Sequence, residues 1–171
     1  MTYGPSGYGV PSSIGTSDPQ SLGWDIKAAT TTGTWAAGTG GANTSWFVPI
    51  RFVVPTLVKR LWYVIGGTSS GNVDMGIYDT SGNKLISAGS TAQGTANTTQ
   101  YFDIDDQQLF DLWYIGFAIN NAAGTFYQIT LTLGESVGIK QLTFPLPSPA
   151  TFITNTIGKI PLVGIDTLGV A

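Results

Sequence analysis

Apolar and polar residues alternate along many short segments of this chain, and turn-forming residues separate one segment from the next. In residues 56–65, for example, Leu57, Leu61 and Ile65 belong to one alternating set and Val58 to the other. Alternation with a period of two residues is typical of a β-strand, whose neighbouring side chains point to opposite faces. About eight such segments at intervals of about ten residues, with no long amphipathic helix, predict an all-β fold: a single antiparallel β-sandwich of the jelly-roll type.

The clearest local signal lies in residues 72–90, which predict a β-hairpin. Val73 and Met75 share one face of its first strand. Asp79 then begins a turn in which its side chain can accept hydrogen bonds from the backbone, and Gly82 can adopt the positive φ that such turns require.

The same pattern predicts further strands, with one interruption. They cover residues 46–54, 56–65, 98–104, 113–120, 125–133 and 159–165. Between residues 105 and 111 we expect a single helical turn, with Leu109 and Phe110 pointing inward.

Composition divides the chain into three parts. Residues 1–43, rich in Gly, Ser, Thr and Pro, predict an extended N-terminal arm; residues 44–143 predict the sandwich; and residues 144–171 form an apolar, proline-containing segment that can add a last strand. The arm is either a flexible leader or an extended segment lying along a neighbouring subunit. The second interpretation is favoured by its aromatic side chains, since each gains free energy when inserted into a pocket. These are Tyr3, Tyr8, Trp24 and Trp35.

Charged residues make up only 10% of the chain, against about 25% in a typical globular protein. A surface so poor in charge favours coverage by partner subunits, and we expect a homo-oligomer.

The net charge is −3 and Lys and Arg do not cluster, so we expect no nucleic-acid ligand. No apolar run approaches the ~20 residues of a membrane-spanning helix, and residues 1–18 lack the pattern of an export signal. We therefore expect no membrane partner.

Residue types limit the available chemistry. The chain has no His and no Cys, so the commonest general base and the commonest nucleophile are both absent, together with disulfides and zinc–thiolate sites. A glycosidase could still work with two carboxylates. The candidates are Asp74, Asp79, Asp103, Asp105, Asp106, Asp111 and Glu135. Because Asp79 already has a role in the turn, we predict that the chain is not an enzyme and that it uses no cofactor.

The acidic run of Asp103, Asp105 and Asp106 has two interpretations. Carboxylates gathered in one loop can bind Ca²⁺. Their spacing matches no complete calcium-binding loop, however, which favours a solvated acidic turn. A melting temperature unchanged by a chelator would exclude the metal.

Aromatic residues within the predicted strands also have two interpretations. Tryptophan and tyrosine rings can stack on sugars, so a host glycan is an alternative ligand, but rings within strands are more often part of the core. The residues concerned are Trp46, Trp62, Tyr63, Trp113 and Tyr114.

Three phrases of the sequence carry a resemblance: WFVPIRFVVP, the segment from LWYVIGG to TTQYFDI, and LWYIGFAINNAAGTFYQ. Together they resemble a β-sandwich module of virion proteins from tailed bacteriophages, over roughly half of the chain and without any catalytic signature. The resemblance implies a place on the virion, as a capsid decoration, head fibre or tail protein.

We therefore predict a non-enzymatic structural subunit of a phage particle, with major capsid or tail proteins as partners. The alternative is a receptor-binding domain of a tail fibre or spike that recognises a host glycan. In the first interpretation, apolar side chains near both ends make the assembly contacts. These are Tyr3, Tyr8, Trp24, Trp35, Phe144, Phe152 and Ile157.

Overall fold

The fold consists of two antiparallel β-sheets that pack together. The computed structural model describes residues 34–39, 41–130, 139–152 and 159–167. The strands are β1 (Thr34–Thr39), β2 (Thr44–Val64), β3 (Asn72–Tyr78), β4 (Lys84–Ser87), β5 (Thr91–Ala92), β6 (Thr99–Ile119), β7 (Thr125–Thr130), β8 (Ile139–Gln141), β9 (Lys159–Pro161) and β10 (Val163–Thr167).

The smaller sheet has the order β1-β7-β9, and the larger sheet has the order β10-β2-β6-β3-β4, with β5 paired to β3 and β8 paired to β2. The predicted all-β antiparallel sandwich is confirmed. Its jelly-roll connectivity stays a prediction. In the ranges given above, no helix is long and apolar enough to cross a membrane.

A long ribbon of β2 and β6 organises the larger sheet. Each strand has 21 residues, and they pair from Thr44 opposite Ile119 to Val64 opposite Thr99. The ladder between them occupies backbone groups along both strands, so the two elements hold each other extended.

The helical turn predicted over residues 105–111 is wrong. Residues 107–109 pair with residues 56–58 of β2 instead, and this ladder satisfies backbone groups that a single helical turn would leave without partners. Leu109 is buried as predicted, whereas Phe110 is 58% exposed. Neighbouring residues of a strand point to opposite faces, so both side chains cannot face the core.

Two irregularities interrupt the ribbon near its middle. Residues 53–55 of β2 lie opposite Phe110 alone, and Lys59 lies opposite residues 104–106 of β6. Asp111, beside the first irregularity, has a φ of 63°, a left-handed conformation that Asp tolerates better than most residues. Extra residues in one strand bend and twist it. The two halves of the ribbon accordingly join different neighbours, β3 and β8 at one end and β10 at the other.

One side of β6 has an open edge. β3 pairs with residues 114–119, and no other strand in the described part of the chain pairs with residues 99–113 on that side. This stretch carries Asp103, Asp105 and Asp106, all exposed. Charged side chains on an edge strand hinder its pairing with another chain.

The main core lies between the two sheets. Trp46, Val48 and Ile50 alternate along β2 and are all buried on one face. The ring centroid of Trp46 lies 5.9 Å from that of Phe117 and 5.2 Å from that of Phe126. Phe126 belongs to the smaller sheet, and Trp46 and Phe117 belong to the larger one, so these contacts join the two sheets.

Both ends of the described chain complete the sheets. β1 lies within the predicted N-terminal arm, yet it pairs with β7 along its whole length. In the C-terminal segment, β9 pairs with β7 and β10 pairs with β2, so the chain passes from one sheet to the other at Leu162. The Leu162 N–H donates a hydrogen bond of 2.8 Å to the Tyr127 carbonyl. Where the sequence predicts one last strand over residues 159–165, the structure has two short strands in different sheets, and Ile160 and Val163 are buried in the core of their own chain.

The predicted hairpin is formed by β3 and β4. One carboxylate oxygen of Asp79 accepts 2.8 Å hydrogen bonds from the backbone N–H groups of Ser81 and Asn83, and the Asn83 side chain donates to the other. These bonds, led by the one from the Asn83 side chain, lower the pKa of Asp79. Gly82 has a φ of 85°, as the turn requires. Both roles predicted for this turn are confirmed.

A second buried cluster lies on the outer face of the larger sheet, beneath residues 144–150, which we call the strap. The sheet contributes Phe47, Tyr78 and Ala118, and the strap contributes Leu146 and Ala150. Because Phe47 follows Trp46 in β2, its side chain points away from the main core. The strap therefore gives the larger sheet apolar contacts on both of its faces.

Two glycines make room for the strap. Gly76 and Gly116 are directly opposite each other on β3 and β6. A Cβ atom on Gly116 would lie 2.8 Å from Cε2 of Tyr78 and 3.0 Å from Cδ2 of Leu146, and one on Gly76 would lie 3.2 Å from Cδ1 of Leu146. The absence of both side chains leaves a notch that the Leu146 side chain occupies.

We predict that Gly116→Ala lowers the free energy of unfolding by about 1–3 kcal/mol, because the added methyl group overfills this notch. The sign of this change is informative, since replacing glycine by alanine within a strand generally stabilises it. Denaturant unfolding measures the change. Gly67→Ala is the matched control, because the nearest atom to its new Cβ would be Oδ1 of Asn97 at 4.0 Å. Equal stabilities for the two variants would contradict the packing of the notch.

Candidate interaction surface

The aromatic residues considered for sugar stacking are mostly part of the core. Trp46, Trp62 and Tyr63 are buried, and Trp113 and Tyr114 are half-buried. Trp62 Nε1 donates a 3.1 Å hydrogen bond to the Ile165 carbonyl, and the Tyr63 hydroxyl donates one of 2.8 Å to Oε1 of Gln100. Burial raises the pKa of Tyr63, which favours its protonated, donating form. Buried rings of this kind are not available to stack on a sugar.

The predicted acidic run lies on the open edge of β6, and two of its carboxylates face cations. Nε of Arg60 lies 2.7 Å from Oδ1 of Asp103, and Nζ of Lys59 lies 3.5 Å from Oδ2 of Asp106. Asp105 is exposed. Within the described ranges, no three acidic residues come together in a way that could hold a metal ion. The run is therefore part of a strand edge, neither the loop nor the turn that the sequence suggested.

Two of the predicted assembly residues pack on their own chain. Phe144 and Phe152 lie against the outer cluster of the larger sheet, where the Phe152 ring centroid is 5.4 Å from that of Phe47 and 4.6 Å from that of Tyr114. Trp35 lies in β1. The others, Tyr3, Tyr8, Trp24 and Ile157, lie outside the described residues.

A buried carboxylate holds the strap in place. Asp74 is only 2% exposed. Its Oδ1 accepts a 2.7 Å hydrogen bond from the Ser87 hydroxyl, and its Oδ2 accepts one of 3.1 Å from the Leu146 backbone N–H. Nζ of Lys84 donates to the Leu146 carbonyl at 3.1 Å. Both backbone groups of Leu146 are therefore bound by side chains of the β3–β4 hairpin.

The same hairpin binds the strap at two further points. The Tyr78 hydroxyl donates to the Pro147 carbonyl, and the Ala150 N–H donates to the Gly82 carbonyl at 2.8 Å. Burial raises the pKa of Tyr78, and the negative charge of Asp74 raises it further. Tyr78 thus stays protonated and keeps its donor. Asp74 and Asp79, both considered for catalysis, have oxygens engaged in holding their own fold.

An exposed apolar surface lies at the first irregularity of the ribbon. We call it the ridge, and it consists of Val53, Val54, Pro55, Leu57 and Phe110. Val53 is 84% exposed and Val54 is 61% exposed. The register places Phe110 directly opposite residues 53–55. Single exposed apolar residues are common, but several large ones close together in the register of one strand pair make a candidate interaction site.

The ridge has a defined backbone and a charged rim. The Thr56 hydroxyl donates a 2.9 Å hydrogen bond to the Val54 carbonyl, within the irregularity itself. At one end, Nε of Arg51 lies 3.6 Å from Oδ1 of Asp111. The Lys59–Asp106 pair stands at the other end. Each end of the ridge therefore carries one ion pair, and exposed Asp105, also opposite Lys59, adds a further negative charge at the second end.

Sequence reasoning missed the ridge, although a signal was present. Four consecutive apolar residues, from Phe52 to Pro55, break the alternation of β2. In a strand that buries one face, such a run must place at least one apolar side chain outside the core.

Comparisons with known proteins add no identification: no family model, no curated protein and no solved structure matches the chain. The structure defines its class as an all-β sandwich with an exposed apolar ridge.

We predict that Asp74→Ala lowers the free energy of unfolding by about 1–3 kcal/mol, because it leaves the Ser87 hydroxyl and the Leu146 N–H without their acceptor. Asp103→Ala serves as the control. It removes an ion pair between exposed side chains, and such pairs contribute about 0–1 kcal/mol. Denaturant midpoints of the two variants test the difference, and a larger loss for Asp103→Ala would contradict the role given to Asp74.

Proposed function

We propose that this chain is a non-enzymatic structural component of a tailed-phage virion, acting as a capsid decoration, head-fibre or tail accessory subunit. The observation that carries the proposal is the ridge, a group of large apolar side chains exposed on a fixed ribbon. The sandwich, with the jelly-roll connectivity predicted from its sequence, serves as a rigid block. The ridge binds a neighbouring protein of the particle.

The residue inventory supports a binding role. The sequence offers no His or Cys for acid–base or nucleophilic chemistry, and the carboxylates of Asp74 and Asp79 hold the strap and the turn. Binding needs only apolar contact area and a matching rim. Tyr3, Tyr8 and Trp24 of the N-terminal arm are proposed as additional anchors on neighbouring subunits.

The ridge has the energetic features of an interface centre. Burial of apolar surface contributes about 25 cal/mol per Å², and truncating a central anchor of an interface typically weakens binding by about 2 kcal/mol or more. Val53 is β-branched and Phe110 is aromatic, so both lose little conformational freedom when they are buried. The ion pairs at either end would form a polar rim around the apolar centre.

Reconstitution tests the proposal. Virions that lack the chain are incubated with the purified protein, and bound protein is measured by cosedimentation and located by immunogold labelling. We expect wild type to bind and Val53→Asp to bind about tenfold more weakly or worse, because a carboxylate would be buried at the contact.

Leu142→Asp is the matched control for this experiment. Leu142 is 81% exposed but follows β8, whose Gln141 pairs with Ser45. Val53 lies eight residues further along β2 than Ser45, which corresponds to roughly 26 Å at 3.3 Å per residue. Binding that is lost equally in both variants, or that is absent from wild type, would contradict the proposal.

A second candidate function, recognition of a host glycan, is favoured by one exposed ring. Tyr101 is 52% exposed and lies on the open edge of β6. Its neighbour Gln100 donates to the Ala92 carbonyl of β5 and accepts from the Gly94 N–H, each at 3.0 Å. An exposed aromatic ring near neutral polar groups suits a sugar.

Glycan-array binding of the isolated protein tests this candidate. If the glycan function is correct, Tyr101→Ala removes binding, whereas Phe110→Ala, which truncates an exposed ring of the ridge, leaves it intact. Absence of binding by wild type to any host glycan would eliminate the candidate.

A further inference from the structure

We infer that the ridge binds the ridge of a second copy of this chain, around a two-fold axis. The inference deepens the proposed assembly function and rests on it, because it names a second copy as the neighbouring protein that the ridge binds. The particle then takes up the chain as a dimer, and a variant that cannot dimerise binds more weakly because it attaches at one site instead of two. Two observations carry it: the charge pattern at the ends of the ridge, and the exposure of the ion pairs that produce this pattern.

The charge pattern is self-complementary. Arg51 and Lys59 flank the ridge along β2, and Asp111 and Asp106 flank Phe110 along β6. A two-fold axis sets identical surfaces against each other, so every charge must find its opposite on the same surface. A rim with one ion pair at each end meets this requirement. A strongly acidic or strongly basic partner would leave half of these charges without a match.

The two ion pairs are suited to exchange partners. Their N–O distances are 3.6 Å and 3.5 Å, and their side chains are between 35% and 67% exposed. Ion pairs between exposed side chains contribute little to the stability of a single chain. The same four groups can therefore pair across an interface without loss to the fold.

The backbone beneath the ridge is arranged before association. Val53 and Val54 lie in the irregularity opposite Phe110, which the ladder encloses between the pairs Phe52–Asp111 and Thr56–Leu109. A hydrogen bond from the Thr56 hydroxyl to the Val54 carbonyl further fixes the backbone of this irregularity. A surface whose shape is already set loses less entropy when it binds.

Sedimentation velocity over a range of concentrations gives the first test. We expect full-length wild type and Leu142→Asp to form dimers with the same dissociation constant, and Val53→Asp to raise that constant about tenfold or more. Circular dichroism confirms that each variant is folded. A monomeric wild type, or equal effects of the two variants, would overturn the inference.

Charge exchange gives the second test, and it probes the rim without altering the apolar side chains. Arg51→Glu with Lys59→Glu makes every rim group acidic. Asp106→Lys with Asp111→Asn leaves a basic rim, and Asn suits the left-handed backbone at position 111. Each double variant should dimerise about tenfold more weakly than wild type, and an equimolar mixture should form a heterodimer that weakens as salt is added. Failure of the mixture to associate would overturn the two-fold pairing of the ridge.

The two proposals can fail separately. If Val53→Asp dimerises like wild type but no longer binds virions, the ridge serves another virion protein, and the second-copy inference falls while the assembly function stands. If the same variant is monomeric but binds virions normally, the inference stands and the ridge is excluded as the contact with the particle.

Discussion

The larger sheet depends on the pairing between β2 and β6. The main core, the open edge and the ridge all take their positions from this ribbon: Trp46, Val48 and Ile50 face the smaller sheet because β2 stays extended through them. The two irregularities then let one ribbon serve two sets of neighbours, with β3 at one half and β10 at the other. Local bending in a long strand is thus what permits a single pair of strands to cover so much of the molecule.

The strap covers the outer face of this sheet but is not a strand, so its backbone cannot form a regular ladder of hydrogen bonds. Side chains must bind its backbone groups instead. Its backbone groups find partners in side chains, chiefly Asp74, Tyr78 and Lys84 of the hairpin. The Gly76–Gly116 pair lets Leu146 approach closely enough for these bonds to form. A buried carboxylate in a chain so poor in charge is explained by this role, since its oxygens satisfy donors that would otherwise be buried without acceptors.

The sequence predicts well whatever depends on local pattern. Alternation in β3, the Asp79 turn and the positive φ of Gly82 were all predictable, because each is set by neighbours within a few residues. The continuity of β6 was not, because it is imposed by partners in β2 that are distant in sequence. The ridge could not be predicted for the same reason, because Phe110 lies opposite Val53 only through the register of β2 and β6. The notch for Leu146 likewise needs Gly76 and Gly116, which lie on different strands.

The acidic edge of β6 has a consequence for how copies of this protein can meet. Among the described residues, no strand pairs with residues 99–113 on this side, so an incoming strand could extend the sheet there into a continuous intermolecular one. Negative side chains along this stretch would be stacked against identical ones at a separation of about 4.8 Å, where their repulsion opposes such growth. Propagation into fibres through this edge is thereby discouraged.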